Sequence, residues 1–222
     1  MKIFAWLWDL LYPEKCLLCG KVLEKQEMDL CHHCRVVAPE FGGFHNKIPF
    51  LDSCTALWYY EGDVRRSLLR YKFYGRRNYA PGYGRLLAMK LLKEEKADFD
   101  LLTFIPISDR RRRKRGYDQV ELLAQFLGQE LKIGPVATLK KLRHNKPQSG
   151  ITGHAQRRAN VLGAYGLRPG VDVKGKRILL LDDIITTGAT AGEAARVLLT
   201  AGAKEVHCGA VAAARRRRKT SR

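Results

Sequence analysis

The chain has 222 residues, with 41 Lys+Arg against 22 Asp+Glu, a formal net charge of +19 and a pI near 9.9. At 45% hydrophobic and 28% charged residues it has the composition of a folded globule, which excludes wholesale disorder. Its longest apolar stretch, Ile3 to Tyr12, is broken by Asp9 and falls far short of the ~20 residues of a bilayer span, which excludes a membrane protein.

The length suits one domain of ordinary size with a small appendage. Six consecutive cations fill Arg110–Arg115 and six more lie in Arg215–Arg222; with those twelve set aside, the net charge of +19 falls to +7. Such a balance points to polyanions: nucleic acid, phosphorylated small molecules, or both.

In chain order, Ile3, Phe4, Leu7, Leu10 and Leu11 predict a short amphipathic helix over residues 1–15, stopped by Pro13. This segment starts at Met1–Lys2, has no small-residue cleavage site and runs into a cysteine pair, so no signal peptide is expected. The expected compartment is therefore the cytoplasm. Cys16-Leu-Leu-Cys19 and Cys31-His-His-Cys34 follow, two CxxC pairs eleven residues apart. Each can present two thiolates on one side of a tight turn, and two such knuckles close a tetrahedral site at Zn–S distances of roughly 2.3 Å. Without a secretory signal, two disulfides are disfavoured, and a redox CxxC does not come doubled in so short a span. The spacing predicts Zn²⁺ held by Cys16, Cys19, Cys31 and Cys34. Four protein ligands leave no open position, so the metal is expected to be structural. His32 and His33 are at best substitute ligands, and Cys54 and Cys208, in apolar runs, read as small buried hydrophobes.

Pro39 to Pro49, with Gly42-Gly43 inside, reads as a linker. Beyond it, strands are predicted at Thr55–Tyr60, Leu101–Ile107, Ile178–Leu181 and Val206–Ala214, and helices along Val64–Phe73, Tyr83–Lys93, Val120–Leu131 and Ala191–Thr200. Buried strands alternating with helices imply an α/β fold with a parallel sheet. The expected division is residues 1–50 for the helix, zinc-finger module and linker, 51–214 for the α/β domain, and 215–222 for a basic tail without fixed structure.

The chemistry concentrates in Leu179–Thr190, LLLDDIITTGAT, where a hydrophobic strand ends in Asp182 and Asp183 and a Thr/Gly turn opens a helix. Ligands bind at the carboxyl ends of parallel strands. Backbone N–H groups at a helix start make an anion site, reinforced by the helix dipole. The hydroxyls of Thr186, Thr187 and Thr190 add donors, and the two carboxylates can accept hydrogen bonds from vicinal hydroxyls. Together these describe a ribose 5-phosphate, its diol at the acids and its phosphate in the turn. The nearby Gly170–Arg177 (GVDVKGKR) nearly spells a P-loop, but Arg177 replaces the final Ser/Thr and a strand follows instead of a helix, so it is set aside.

LLLDDIITTGAT resembles the phosphoribosyl-pyrophosphate (PRPP) motif of type I phosphoribosyltransferases. That resemblance implies that Asp182, Asp183, Thr186, Thr187, Gly188, Ala189 and Thr190 bind PRPP together with Mg²⁺. It also implies that the segment after the 101–107 strand, with Arg110–Arg115 and the Gly116 turn, holds the pyrophosphate as a loop. A second basic segment, Arg143–Gly150 through Arg157-Arg158-Ala-Asn160, stands where such enzymes have a mobile loop that closes over the pyrophosphate. Asp182, Asp183, Arg110, Arg115 and Arg157 are the implied catalytic residues.

The whole order, from CxxC…CxxC through Lys72-Phe-Tyr-Gly75, Arg115-Gly-Tyr-Asp-Gln119, Pro147-Gln148-Ser-Gly150 and Arg157…Asn160 to LDDIITTGAT, resembles the ComF family, from Cys16 to about Ala213. These are bacterial competence-associated proteins with a zinc finger fused to a type I phosphoribosyltransferase domain. Tyr117 and Asp118 stand where Phe and Asn are commoner. The resemblance implies pentosyl transfer from PRPP to an acceptor that the residues do not identify, and a role in DNA uptake and transformation. The implied partners are single-stranded DNA and other competence proteins such as a helicase. The alternative is a nucleic-acid-binding accessory whose PRPP site is regulatory or vestigial. Tyr59, Tyr60, Tyr71, Phe73, Tyr74 and Tyr79 lie among Arg65, Arg66, Arg70, Lys72, Arg76 and Arg77. Such interleaving suits either single-strand stacking or a helix with aromatics turned to the core.

Overall fold

The computed structural model describes residues 13–44, 47–94, 96, 98–142 and 161–215. The helix predicted over 1–15, the basic segment 143–160 with Arg157, and the tail beyond Arg215 therefore lie largely or wholly outside the described residues. Four parallel strands form the central sheet: β1 (Ser53–Tyr59), β2 (Leu101–Phe104), β5 (Arg177–Ile185) and β6 (Glu205–Ala213), in the order β1-β6-β5-β2. A short antiparallel pair, β3 (Leu139–Lys141) with β4 (Tyr165–Leu167), lies apart from it. Six α-helices are described: α1 (His32–Val37), α2 (Gly62–Phe73), α3 (Ala80–Lys93), α4 (Asp109–Arg115), α5 (Gln119–Leu131) and α6 (Ala189–Thr200).

The core follows from the two-residue period of a strand. Leu179 and Leu181 of β5 pack with Leu68, Tyr83, Leu87, Leu123 and Leu127 of α2, α3 and α5. Ile178 and Leu180 turn the other way, into a cluster with Ala191, Ala194, Ala195 and Leu198 of α6. With helices on both faces, β5 is apolar at every position from Ile178 to Leu181, which is why the run reads as continuous and not alternating.

Several predicted boundaries move. β5 continues through the acid pair to Ile185, with Asp182 in register with Ala210 of β6, so Asp182 and Asp183 lie within the strand. β2 stops at Phe104, just before Pro106, although the Ile105 N–H still donates to the Leu181 carbonyl at 2.9 Å. α3 starts at Ala80, with Pro81 in its first turn where a missing N–H costs nothing. Arg110–Arg115 is helical, not a loop: α4 ends at Gly116, whose φ of 76° supplies the left-handed cap. The three-residue strands β3 and β4 carry too little periodicity to be read from sequence.

The segment expected to be a linker is built into the fold. Phe41 N–H donates to the Leu57 carbonyl at 3.1 Å and Tyr59 N–H to the Pro39 carbonyl at 2.7 Å, so it runs antiparallel beside β1. Phe41 is buried, edge-on to Phe44 and Tyr59. Among the described residues no helix is long and apolar enough to cross a membrane.

Candidate functional site

The cysteine module folds as two knuckles. Cys16 N–H donates to the Lys21 carbonyl at 2.8 Å, Gly20 N–H closes the turn onto the Cys16 carbonyl at 2.9 Å, and Gly20 takes φ 81°. In the second knuckle Cys31 caps α1, its Sγ accepting from Cys34 N–H at 3.5 Å. All four Sγ atoms lie within 4.8 Å of one another, and Cys19 Sγ and Cys31 Sγ are 3.7 Å apart. A tetrahedral Zn²⁺ with bonds of about 2.3 Å separates its sulfurs by about 3.8 Å, so the cluster fits the ion. His32 and His33 are exposed and outside the cluster. The module is fused to the domain: Leu17 and Leu18 are buried with Leu68, Tyr71 and Tyr83, and Arg85 grips Asp29 through two hydrogen bonds of 2.6 and 3.1 Å.

The second site is a cleft of about 720 Å³ at the carboxyl edge of the sheet. Three strand ends contribute to it: Tyr60 after β1, Ile105–Ile107 after β2, and Asp182 to Thr190 along β5 and the turn into α6. Of the residues singled out in the sequence, Asp182, Asp183, Thr186, Thr190 and Arg115 all line it. Thr187, Gly188 and Ala189 form the turn behind that wall. Gly188 is the N-cap of α6 at φ 74°, and Thr187 Oγ1 accepts from Ala189 N–H at 3.3 Å.

The two acids are not equivalent. Asp183 is buried and both its oxygens are taken: Lys72 Nζ lies 2.8 Å from Oδ1, and Gln119 Nε2 donates to Oδ2 at 2.7 Å. Burial pushes its pKa up, but the charge and hydrogen bond of Lys72, with that of Gln119, outweigh it and leave the carboxyl below its ordinary value. Half-buried Asp182 faces the cleft, and burial together with the charge of Asp183 pushes its pKa up to about 8.

Behind the acids runs a linked set of side chains. Arg115 Nη1 donates to Gln119 Oε1 at 2.6 Å and its guanidinium lies 4.9 Å from the Phe73 ring centroid. Tyr71 O–H donates to the Gln119 carbonyl at 2.6 Å, and Tyr117 O–H to the Tyr71 carbonyl. Asp118 caps α5, accepting from Val120 and Glu121 N–H, and its other oxygen accepts from Ile107 N–H at 3.0 Å. Its carboxylate therefore serves to hold the 105–108 segment against the cleft.

Of the arginine run, Arg111 and Arg115 reach the cleft, whereas Arg110 is exposed and does not line it. Residues four apart share a helix face, so a helical α4 selects that pair. The sequence reading missed Lys141 and Tyr165. Lys141, on β3, donates to the Tyr165 hydroxyl oxygen at 3.2 Å and sits 4.9 Å from the centre of that ring. Among the described residues no carboxylate forms an ion pair with it; burial, with Arg111 adding, lowers its pKa to about 8 against the pull of Asp182. No local signal marks it, because its position depends on the β3–β4 pairing across residues 142–164. Lys72 and Gln119 lie in quoted motifs, but nothing in their spacing reveals that they meet at Asp183.

Residues 120–222 match the phosphoribosyl transferase domain family, and residues 7–41 match the double zinc ribbon domain. The chain is 26% identical over 200 residues to DNA utilization protein YhgH of Salmonella typhimurium, covering 86% of each chain. It is 27% identical to competence protein F of Haemophilus influenzae, over 83% of its own length and 84% of that protein. It is also 27% identical to competence protein ComFC of Streptococcus pneumoniae, over 85% of its own length and 77% of the relative. A double zinc ribbon match leading into a phosphoribosyl transferase domain match, with similarity to these competence and DNA utilization proteins along most of its length, carries the resemblance to the ComF family through nearly the whole chain.

Proposed function

We propose that the cleft binds PRPP with Mg²⁺ and that the protein transfers the phosphoribosyl group to an acceptor in the service of DNA uptake and use. The observation that carries this reading is the charge of the cleft wall: among the described residues, Arg65, Lys72, Arg111, Arg115 and Lys141 stand against Asp182 and Asp183 alone, beside the Thr186–Thr190 turn. A sugar with a phosphate at one end and a diphosphate at the other matches that arrangement. The turn and the α6 dipole take the 5-phosphate, Asp182 accepts from the ribose hydroxyls, and Arg111, Arg115 and Lys141 face the diphosphate. Mg²⁺, when bound, neutralises charge on the diphosphate.

Transfer breaks the bond from C1 to the diphosphate oxygen while the acceptor's lone pair forms the new bond to C1, and pyrophosphate leaves with the bonding electrons. Cations already fixed where that charge develops lower the barrier without reorganisation. Arg115 is such a group, held by Gln119 and Phe73 before any ligand arrives. Arg157, outside the described residues, is assigned to the same end on the family resemblance. Names of the relatives refer to competence and DNA utilization, and the cytoplasm is the compartment where PRPP would be met. Calorimetry with PRPP and Mg²⁺ tests the reading: wild type should bind, Asp182→Ala should weaken binding at least about tenfold, and absence of binding by wild type would sink it.

A second reading, direct binding of single-stranded DNA, rests on a separate observation. Phe73 and Tyr74 at the end of α2 are 60% and 73% exposed, and Arg77 covers the Tyr117 ring at 4.6 Å beside them. Tyr71 and Tyr79 are buried, so the aromatic run divides between core and surface. Exposed rings among cations suit base stacking. Phe73→Ala/Tyr74→Ala should reduce affinity for an oligothymidine about tenfold or more, with a steep salt dependence in wild type; an unchanged affinity would remove this surface from consideration.

A further inference from the structure

We propose that the zinc ribbon is a positioning element of the ligand cleft, acting through Ile48 on the phosphate turn and through Arg70 on the acid pair. Two chains of contact lead from the cysteine knuckles to the cleft. The first is the segment that leaves α1. It lies against β1 through Pro39, Glu40 and Phe41, and its far end is pinned to β6, where Asp52 N–H donates to the Val206 carbonyl at 3.0 Å and Val206 N–H to Asp52 Oδ2 at 2.9 Å. Between these anchors Ile48 is buried directly against Gly188. A Cβ at Gly188 would lie 2.6 Å from Ile48 Cδ1, and one at Gly192 would lie 2.9 Å from the Pro49 carbonyl oxygen. The turn that opens α6 is therefore seated on side chain and backbone of the segment descending from the ribbon.

The second chain runs through α2. Arg70 Nη2 donates to the Leu18 carbonyl at 2.5 Å and the Leu17 carbonyl at 3.3 Å, and Ser67 O–H donates to the Leu17 carbonyl. Leu17 and Leu18 are the two residues between Cys16 and Cys19, so the direction of their carbonyls is set by the knuckle. Two residues beyond Arg70, Lys72 holds Asp183. Within the ribbon the knuckle turns are closed by a handful of backbone hydrogen bonds, among them Cys16 N–H to the Lys21 carbonyl, Leu17 N–H to the Asp29 carbonyl and Leu23 N–H to the Glu14 carbonyl, and so short a segment draws much of its order from its metal. Loss of zinc should then loosen both the turn and α2, while the sheet keeps its own core.

Amide hydrogen exchange on the full chain tests this, because it reads the turn whether or not PRPP is the ligand. Residues 186–192 should exchange about tenfold faster after zinc is removed by a chelator, with residues 178–181 of β5 and 206–211 of β6 as protected as before. To separate this from unfolding of the stripped protein as a whole, zinc-loaded Ile48→Ala provides the second arm: the same local acceleration is expected, and Ile48→Val should restore protection. PRPP affinity should fall about tenfold in parallel. Unchanged exchange at 186–192 in Ile48→Ala, or acceleration spread evenly over the sheet, overturns the proposal. The affinity arm rests on the PRPP reading; local acceleration without PRPP binding by wild type would sink that reading and leave the coupling standing.

Discussion

Lys72 Nζ lies 2.8 Å from Asp183 Oδ1, in a pair whose carboxylate side chain is 6% exposed. Gln119 occupies the other oxygen at 2.7 Å. Asp183 is thus engaged within the protein, fixing Lys72 directly and Arg115 through Gln119, and under the proposed function Asp182 is the acid that meets the sugar. Removing one member of a buried pair leaves an uncompensated charge and costs about 3–5 kcal/mol, whereas removing both is far milder. Lys72→Met should therefore lower stability to urea by about that amount, and Lys72→Met/Asp183→Asn should recover a substantial part of it. Equal stability of wild type and Lys72→Met would mean that the pair contributes nothing.

Asp182 has the opposite setting, and the sign of its pH effect follows. Its folded pKa, about 8, lies above its unfolded one, so between roughly pH 4 and 8 the folded state holds a proton that the unfolded state has released. This contribution is present at low pH and is lost as pH rises through the folded pKa. Asp182→Asn cannot ionise, so its melting temperature should gain on that of wild type from pH 5 to pH 8, by about 2–4 °C for each kcal/mol recovered. A constant difference across that range would contradict the assignment.

Lys141 should make ligand affinity fall with pH. Its pKa of about 8 leaves it mostly charged at pH 7 and mostly neutral at pH 9, while an arginine in its place stays charged throughout. If the ammonium contacts the diphosphate, wild-type affinity for PRPP should drop by up to about tenfold over that interval. Lys141→Arg should show a much shallower decline. Asp182 ionises over the same range in both proteins, so the difference between them isolates the lysine.

Gly188 combines a left-handed φ of 74° with Ile48 packed where a Cβ would go. Gly170, at φ 76°, has nothing within 4 Å of the place its Cβ would take. Gly170→Ala should thus cost only the backbone strain, about 1–2 kcal/mol, and Gly188→Ala should cost about 1–3 kcal/mol more for the overpacking. Denaturant unfolding of the two variants separates strain from steric contact, and similar losses in both would show that Ile48 moves aside freely.

Much of the site was legible because its parts are neighbours along the chain. In LLLDDIITTGAT, a strand, two acids, a Thr/Gly turn and a helix start are covalently consecutive, so their relative placement follows from local geometry alone. The cysteine spacing worked for the same reason: two tight turns of CxxC bring four sulfurs within 4.8 Å. The apolar runs of β2, β5 and β6 were likewise sufficient to announce a parallel sheet with both faces covered.

Which cations serve the cleft was a different kind of question. Six consecutive charges look alike in sequence, and only the helical turn of α4 sends Arg111 and Arg115 inward while Arg110 stays in solvent. Lys141 reaches the cleft from a three-residue strand paired antiparallel to β4, and Lys72 reaches it from α2, more than a hundred residues from the acid it holds. These relationships arise where separately folded elements pack, and no period or spacing encodes them. The order of residues was thus enough to bring the parts of the motif together and to specify the metal site, whose members are near neighbours. It took the packing of distant elements to bind one acid of the pair internally, to set the ribbon against the turn, and to divide the basicity of the chain between a ligand cleft and open surface.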